Sequence, residues 1–153
     1  MRKALIPALA AATFTVSPVF AEDTSFNEDA VAAMKDGIVI EAPWAVSLKE
    51  DEIIVFMTIH NGSEDSDTIK GVKSKVADKA GIAKFEDGPM RNAKAIETLA
   101  TPKGEATSLD QDGYHLILTE LTEDVESGDS VPLTLEFEDT GELEVIVSVA
   151  VMQ

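Results

Sequence analysis

The sequence predicts an all-β fold, an antiparallel sandwich or barrel, and three observations carry that reading. Short runs rich in β-branched and apolar residues alternate with polar ones. Gly, Asn and Asp turn signals recur about every ten residues, the spacing of short antiparallel strands. No long stretch has helical periodicity, which leaves the sandwich and the barrel as the architectures to choose between.

The elements follow in chain order. Residues 1–21 read as a secretory signal: Arg2 and Lys3 open it, Ala4 to Phe20 is apolar and small, and Val19-Phe20-Ala21 offers small residues at the cleavage positions. The apolar run is short and broken by Pro7 and Pro18, so it is not read as a membrane span. Residues 22–36 read as an acidic leader, with one helical turn over Val31 to Lys35. Residues 37–153 read as one β-sandwich domain.

Within that domain, Ile38-Val39-Ile40 leads into Ala42-Pro43-Trp44, and Ile53 to His60 forms a strand that stops at the turn signal Asn61-Gly62. Thr68 to Val76 alternates. Val131, Leu133, Leu135 and Phe137 share one face of a strand, Asp139-Thr-Gly141 turns the chain, and Leu143, Val145, Val147, Val149 and Val151 share a face of the last one.

Composition excludes much. There is no cysteine, hence no disulfide, thiolate site, cysteine nucleophile or lipobox. The net charge is −17, and about −19 without the signal (10 basic against 29 acidic residues). Phosphate-bearing partners would be repelled, so neither nucleic acid nor membrane insertion is expected. The acids are scattered, as on a solvated surface. No G-x-S-x-G, P-loop, G-x-G-x-x-G or H-E-x-x-H motif is present, and an enzyme is not expected. Ser63-Glu-Asp-Ser-Asp67 falls short of a Ca²⁺ loop and reads as a solvated acidic turn; the sequon Asn61-Gly62-Ser63 reads as a turn only.

The remaining chemistry is soft-metal ligation by His60, His115, Met34, Met57, Met90 and Met152. Thioether and imidazole suit Cu(I). Taken singly, each has an ordinary structural role: Met57 as core filler, Met152 as packing at the chain end, His60 as a polar residue beside a turn, and His115 as a hydrogen-bonding residue at the mouth of the sandwich. Met57 and His60 lie three apart on a strand and therefore face opposite ways, so they do not chelate one ion.

Several ordered segments together resemble the PCu(A)C-type periplasmic copper chaperones: Ala42-Pro43-Trp44-Ala45, Val55-Phe-Met-Thr-Ile-His-Asn-Gly62, Asp67-Thr-Ile-Lys-Gly-Val72, Met90-Arg91, Asp112-Gly-Tyr-His-Leu-Ile-Leu118 and Gly128-Asp-Ser-Val-Pro-Leu-Thr-Leu-Glu-Phe137. The resemblance runs from about Gly37 to Val151 and implies a cupredoxin-like Greek-key β-sandwich. It also implies a copper site of two histidines and two methionines. His115 matches the second histidine, and Met90, by its Met-Arg context, the first methionine. Ile117 stands where a methionine is expected. Near the expected first histidine stand Lys84 and Phe85, which cannot replace it, and Asn92 is a poor oxygen donor. The metal site expected here is thus His115 with Met90. The implied role is an exported, periplasmic carrier that binds Cu(I) weakly and hands it to a copper-accepting protein such as cytochrome oxidase. The alternative is a metal-free binding or scaffold module of the same fold. A monomer is expected, because no exposed apolar stripe suggests a partner copy.

Overall fold

The computed structural model describes residues 31–150. The stretch read as a signal, the stretch read as a leader up to residue 30, and Val151 and Met152 lie outside the described residues. Eleven strands are formed there: β1 (Val31–Lys35), β2 (Ile38–Lys49), β3 (Glu52–Asn61), β4 (Asp67–Lys73), β5 (Ala77–Phe85), β6 (Ala93–Ile96), β7 (Leu99–Thr101), β8 (Ala106–Leu109), β9 (Tyr114–Leu121), β10 (Ser130–Phe137) and β11 (Gly141–Val149). Among the described residues no helix is long and apolar enough to cross a membrane.

Val31 to Lys35, expected as a helical turn, is instead strand β1, and the sheet begins upstream of Gly37. The physical reason is pairing: Met34 and Lys35 lie opposite Val39 and Ile38 of β2. The two-residue turn between them places Asp36 at φ 48° and Gly37 at φ 91°, the left-handed geometry of a tight hairpin. A Cβ on Gly37 would stand 2.9 Å from the Ser63 backbone, so glycine is required for space as well as for φ. β4 stops at Lys73, short of the alternation read to Val76, although Val76 is still buried.

The strands form one sheet in the order β6-β5-β9-β3-β2-β11-β10-β4-β7, with β1 beside β2 and β8 beside β3. Its two end strands, β6 and β7, are separated in the chain only by Glu97 and Thr98. The sheet therefore curls round on itself and encloses the core, in the manner of a sandwich approaching a barrel. Neighbours are antiparallel except β2 and β11, which pair in parallel at Trp44–Ser148 and Ala45–Val149.

The alternating residues of β10 and β11 fill the interior as the pattern predicts. Val131, Leu133, Leu135, Phe137, Val145 and Val147 are each no more than 1% exposed. They meet Ile53, Val55, Ile59, Leu116 and Leu118 in the main core. β2 carries a bulge between Glu41 and Trp44, where Ala42 takes φ 48°. The strand pairs β3 on both sides of the bulge, β1 before it and β11 after it.

Asn61 ends β3 with its side chain turned inward, 1% exposed. Its amide donates to the carbonyls of Thr101 (2.7 Å) and Asp65 (3.1 Å), and its Oδ1 accepts from Ser63. The sequon is thus a turn, as its reading anticipates, with its asparagine buried. Asp67 performs the same service at the start of β4. Its carboxylate accepts backbone N–H bonds from Thr68 (2.8 Å), Asp139 (2.9 Å) and Thr140 (2.9 Å), tying β4 to the β10–β11 turn.

Candidate metal centre

β9 lies between β5 and β3, with Ala83 opposite His115 and Ile54 opposite Ile117. Leu116 and Leu118 point into the main core. By strand alternation His115 and Ile117 point to the other face of the sheet. A second, smaller apolar cluster forms there: Val46, Ile54, Phe56 and Phe85, with Trp44 and Met90 packed against it. His115 therefore sits not at the mouth of the sandwich but on the outer sheet face, under its own apolar cover, at 0% exposure.

Its surroundings are aromatic. The Phe85 ring stacks on the imidazole with centroids 3.8 Å apart and planes at 17°. Phe56 is tilted against it at 6.5 Å, and Trp44 leans on Phe56 at 4.8 Å. His115 Nδ1–H donates a long bond of 3.4 Å to the carbonyl of Gly113, which also accepts the Phe85 N–H at 3.0 Å. A carbonyl can only accept, so this bond fixes the Nδ1–H tautomer and leaves Nε2 as a lone-pair donor. Nε2 is buried and has no hydrogen-bond partner. Leaving such an atom unsatisfied costs about 1–3 kcal/mol. Burial pushes the imidazole below its ordinary 6.5, only partly opposed by the Gly113 bond, so His115 is held neutral.

Met90 comes from the loop joining β5 to β6, residues 86–92. Its N–H donates to the Gln111 carbonyl at 2.9 Å, fastening this loop to the turn that precedes His115. Met90 itself takes φ 55° and Asn92 φ 46°. That conformation is ordinary for asparagine but costly for methionine, and such strain gathers at functional sites. The Asn92 amide donates to Asp87 across the loop.

A cavity of about 300 Å³ results, lined by His115, Met90, Asn92, Phe85, Ile117 and Ile54, with Ala93, Lys49 and Glu52 completing it. The structure thus brings the two expected ligands, His115 and Met90, onto one cavity. Imidazole Nε2 and thioether are donors that suit a soft ion. Ile117 and Phe85 supply none, and Glu52 lies 4.0 Å from Lys49 in an ion pair. Among the described residues no group of three or more His, Asp or Glu side chains is arranged to hold a metal. The donors fit a two-coordinate soft ion and not a four-ligand site.

The other soft donors lie elsewhere. Met57 is core, 3% exposed, and His60 faces away from it to pair with the buried Glu41 at 3.0 Å. Met34 is exposed on β1. Sequence reasoning noticed Phe85 only as a missing ligand. It missed the ring as the lid of the imidazole, and with it Trp44, Phe56 and the Gly113 carbonyl. The β5–β9 register, which sets Lys84 opposite Tyr114 and so brings Phe85 alongside Gly113, is the signal that finds them.

The fold belongs to a known class of cupredoxin-like β domain. An apo PCuAC domain from PmoF1 superposes with a TM-score of 0.66 at 23% identity, covering 78% of this chain and 98% of that one. A copper-bound PCuAC domain from PmoF2 gives 0.64 at 21%, covering 78% and 97%. Cu(I)-DR1885 from Deinococcus radiodurans gives 0.57 at 22%, covering 72% and 78%. At these identities the likeness is one of fold. Residues 22–149 match the LpqE-like family, and the chain belongs to it. None of the curated proteins compared with the chain matches it.

Proposed function

We propose that this protein is an exported, copper-chaperone-like carrier that binds Cu(I) weakly at His115 and Met90. It would pass the ion to a copper-accepting protein such as a respiratory oxidase. One observation carries the reading: the buried Nε2 of a neutral histidine, without a hydrogen-bond partner, on the same cavity as a thioether. Structures of the same fold whose names state copper binding support it, and the signal-like start of the sequence supports export. In this reading copper is cargo. Two donors hold it firmly enough to carry and weakly enough to release by ligand exchange with an acceptor that offers more. The residues contribute geometry: Gly113 fixes the tautomer, Phe85 fixes the ring, and the 86–92 loop brings Met90 across.

The test is a Cu(I) titration of the chain against a competing chromophoric chelator. One equivalent is expected to bind. His115→Ala abolishes binding, and Met90→Leu, a swap that keeps volume, weakens it by roughly tenfold or more, as loss of one of two donors would. Absence of saturable binding contradicts the reading and favours the metal-free module; binding indifferent to His115 contradicts the assignment of the site. That alternative draws on the Phe85 ring and Ile117 standing where further donors would be.

A further inference from the structure

The wall of the cavity carries a consequence for which ions can enter. Phe85, from β5, covers one face of the imidazole at 3.8 Å, and Ile117, two residues after His115 on the same side of β9, lines the same cavity. Neither has a donor atom, and His115 behind them is fully buried. Of the polar groups that line the cavity, Glu52 lies 4.0 Å from Lys49 and the Asn92 amide nitrogen donates to Asp87, while the Asn92 oxygen is a hard donor that suits a soft ion poorly.

Two physical effects then act in one direction. Zn²⁺ takes four ligands in structural sites, and Cu²⁺ prefers tetragonal nitrogen and oxygen donors. This cavity offers one nitrogen and one sulfur, beside an amide oxygen of Asn92 and a Glu52 carboxylate that faces Lys49, and not a set of four free donors. The cost of moving an ion from water into an apolar site also grows with the square of its charge, so a dication is penalised about four times as heavily as a monocation. A soft monovalent ion needs only the two donors and carries the smaller penalty.

From this we infer that Phe85, together with Ile117, determines the ion selectivity of the cavity. The apolar wall keeps water and further donors away from its side of the imidazole, so that a soft monovalent cation is favoured over divalent cations. Phe85 acts here through space and not through a bond to the ion. The inference rests on the proposal that His115 and Met90 bind a soft ion, and it adds the residues that set the choice among ions.

The test uses the chain and three probe ions, Ag(I), Zn(II) and Cu(II), in chloride-free buffer, and reads the ratio of monovalent to divalent affinity. The native chain is expected to bind Ag(I) in a His115-dependent manner and to bind Zn(II) or Cu(II) at His115 only far more weakly. Phe85→Ala admits water beside the imidazole, and the ratio falls by roughly tenfold or more, the scale on which groups around a metal site alter affinity. Phe85→Leu restores an apolar wall and is expected to retain the native ratio, an outcome that loss of stability alone would not produce. Ile117→Ala, at a half-buried position, opens the same wall from β9 and lowers the ratio in the same way, and it serves if Phe85→Ala does not fold. An unchanged ratio in both opened variants, with Ag(I) still bound through His115, overturns the role of the wall and leaves the site standing. Failure of the native chain to bind Ag(I) through His115 overturns the site itself.

Discussion

His115 is a neutral, stacked imidazole with an unpartnered Nε2 inside an acidic protein, and its burial links protonation to stability. The folded state keeps the ring below its ordinary 6.5. As pH falls through 6.5 the unfolded chain takes up a proton that the folded chain refuses, so stability rises with pH across the window from the lowered folded value up to 6.5. Each unit in that window is worth up to about 1.4 kcal/mol. Urea unfolding followed from pH 7 downward is expected to show this loss in the native chain and not in His115→Leu. Equal slopes for the two chains would mean that the ring takes up its proton in the fold as readily as in the unfolded chain. The residue type and its i, i+2 relation to Ile117 were legible in the sequence, because strand alternation alone puts both on one face. The orphaned Nε2 was not. It depends on Gly113 O accepting from Nδ1 and on Phe85 arriving from another strand, neither of which is local.

At the scale of elements, β10 and β11 could be read directly, since strict alternation of valine, leucine and phenylalanine with polar residues has one physical solution on a half-buried sheet. β5 could not. Ala77-Asp-Lys-Ala-Gly-Ile-Ala-Lys-Phe85 has weak strand propensity and is held extended by β9 on one side and β6 on the other. β1 was misread for the same reason, its conformation being set by pairing with β2. The clamp at Asp67 shows how such joints are made. Burial would raise its carboxyl, but bonds from Thr140, Asp139 and Thr68 outweigh this and hold it below 3.8. Its contribution is therefore present above 3.8 and is lost as pH falls through the lowered folded value. Asp67→Ala leaves three backbone N–H groups without their acceptor and is expected to cost about 3 kcal/mol in urea unfolding. Asp67→Asn, which keeps one acceptor oxygen, should cost less. A loss under about 0.5 kcal/mol, the range of an ordinary surface substitution, would show that the β10–β11 turn does not depend on this clamp.

For the whole molecule the governing quantity is charge. A formal −17 spread over the surface repels itself and opposes compaction. Raising NaCl from 10 to 150 mM shortens the screening length from about 30 to about 8 Å, and the melting temperature is expected to rise by a few degrees. A fall on adding salt would mean that surface ion pairs such as Lys73 with Glu136 and Glu142 outweigh the repulsion. The same charge draws cations towards the surface, while the apolar cover over His115 decides which may enter.

The most direct measurement is ¹⁵N NMR of the His115 ring during Cu(I) addition. Before addition the ring is expected as the Nδ1–H tautomer, held by Gly113. With one equivalent bound, the Nε2 resonance should move while Nδ1 stays protonated. A ring that saturating Cu(I) leaves unchanged would contradict the assignment of this cavity as the copper site.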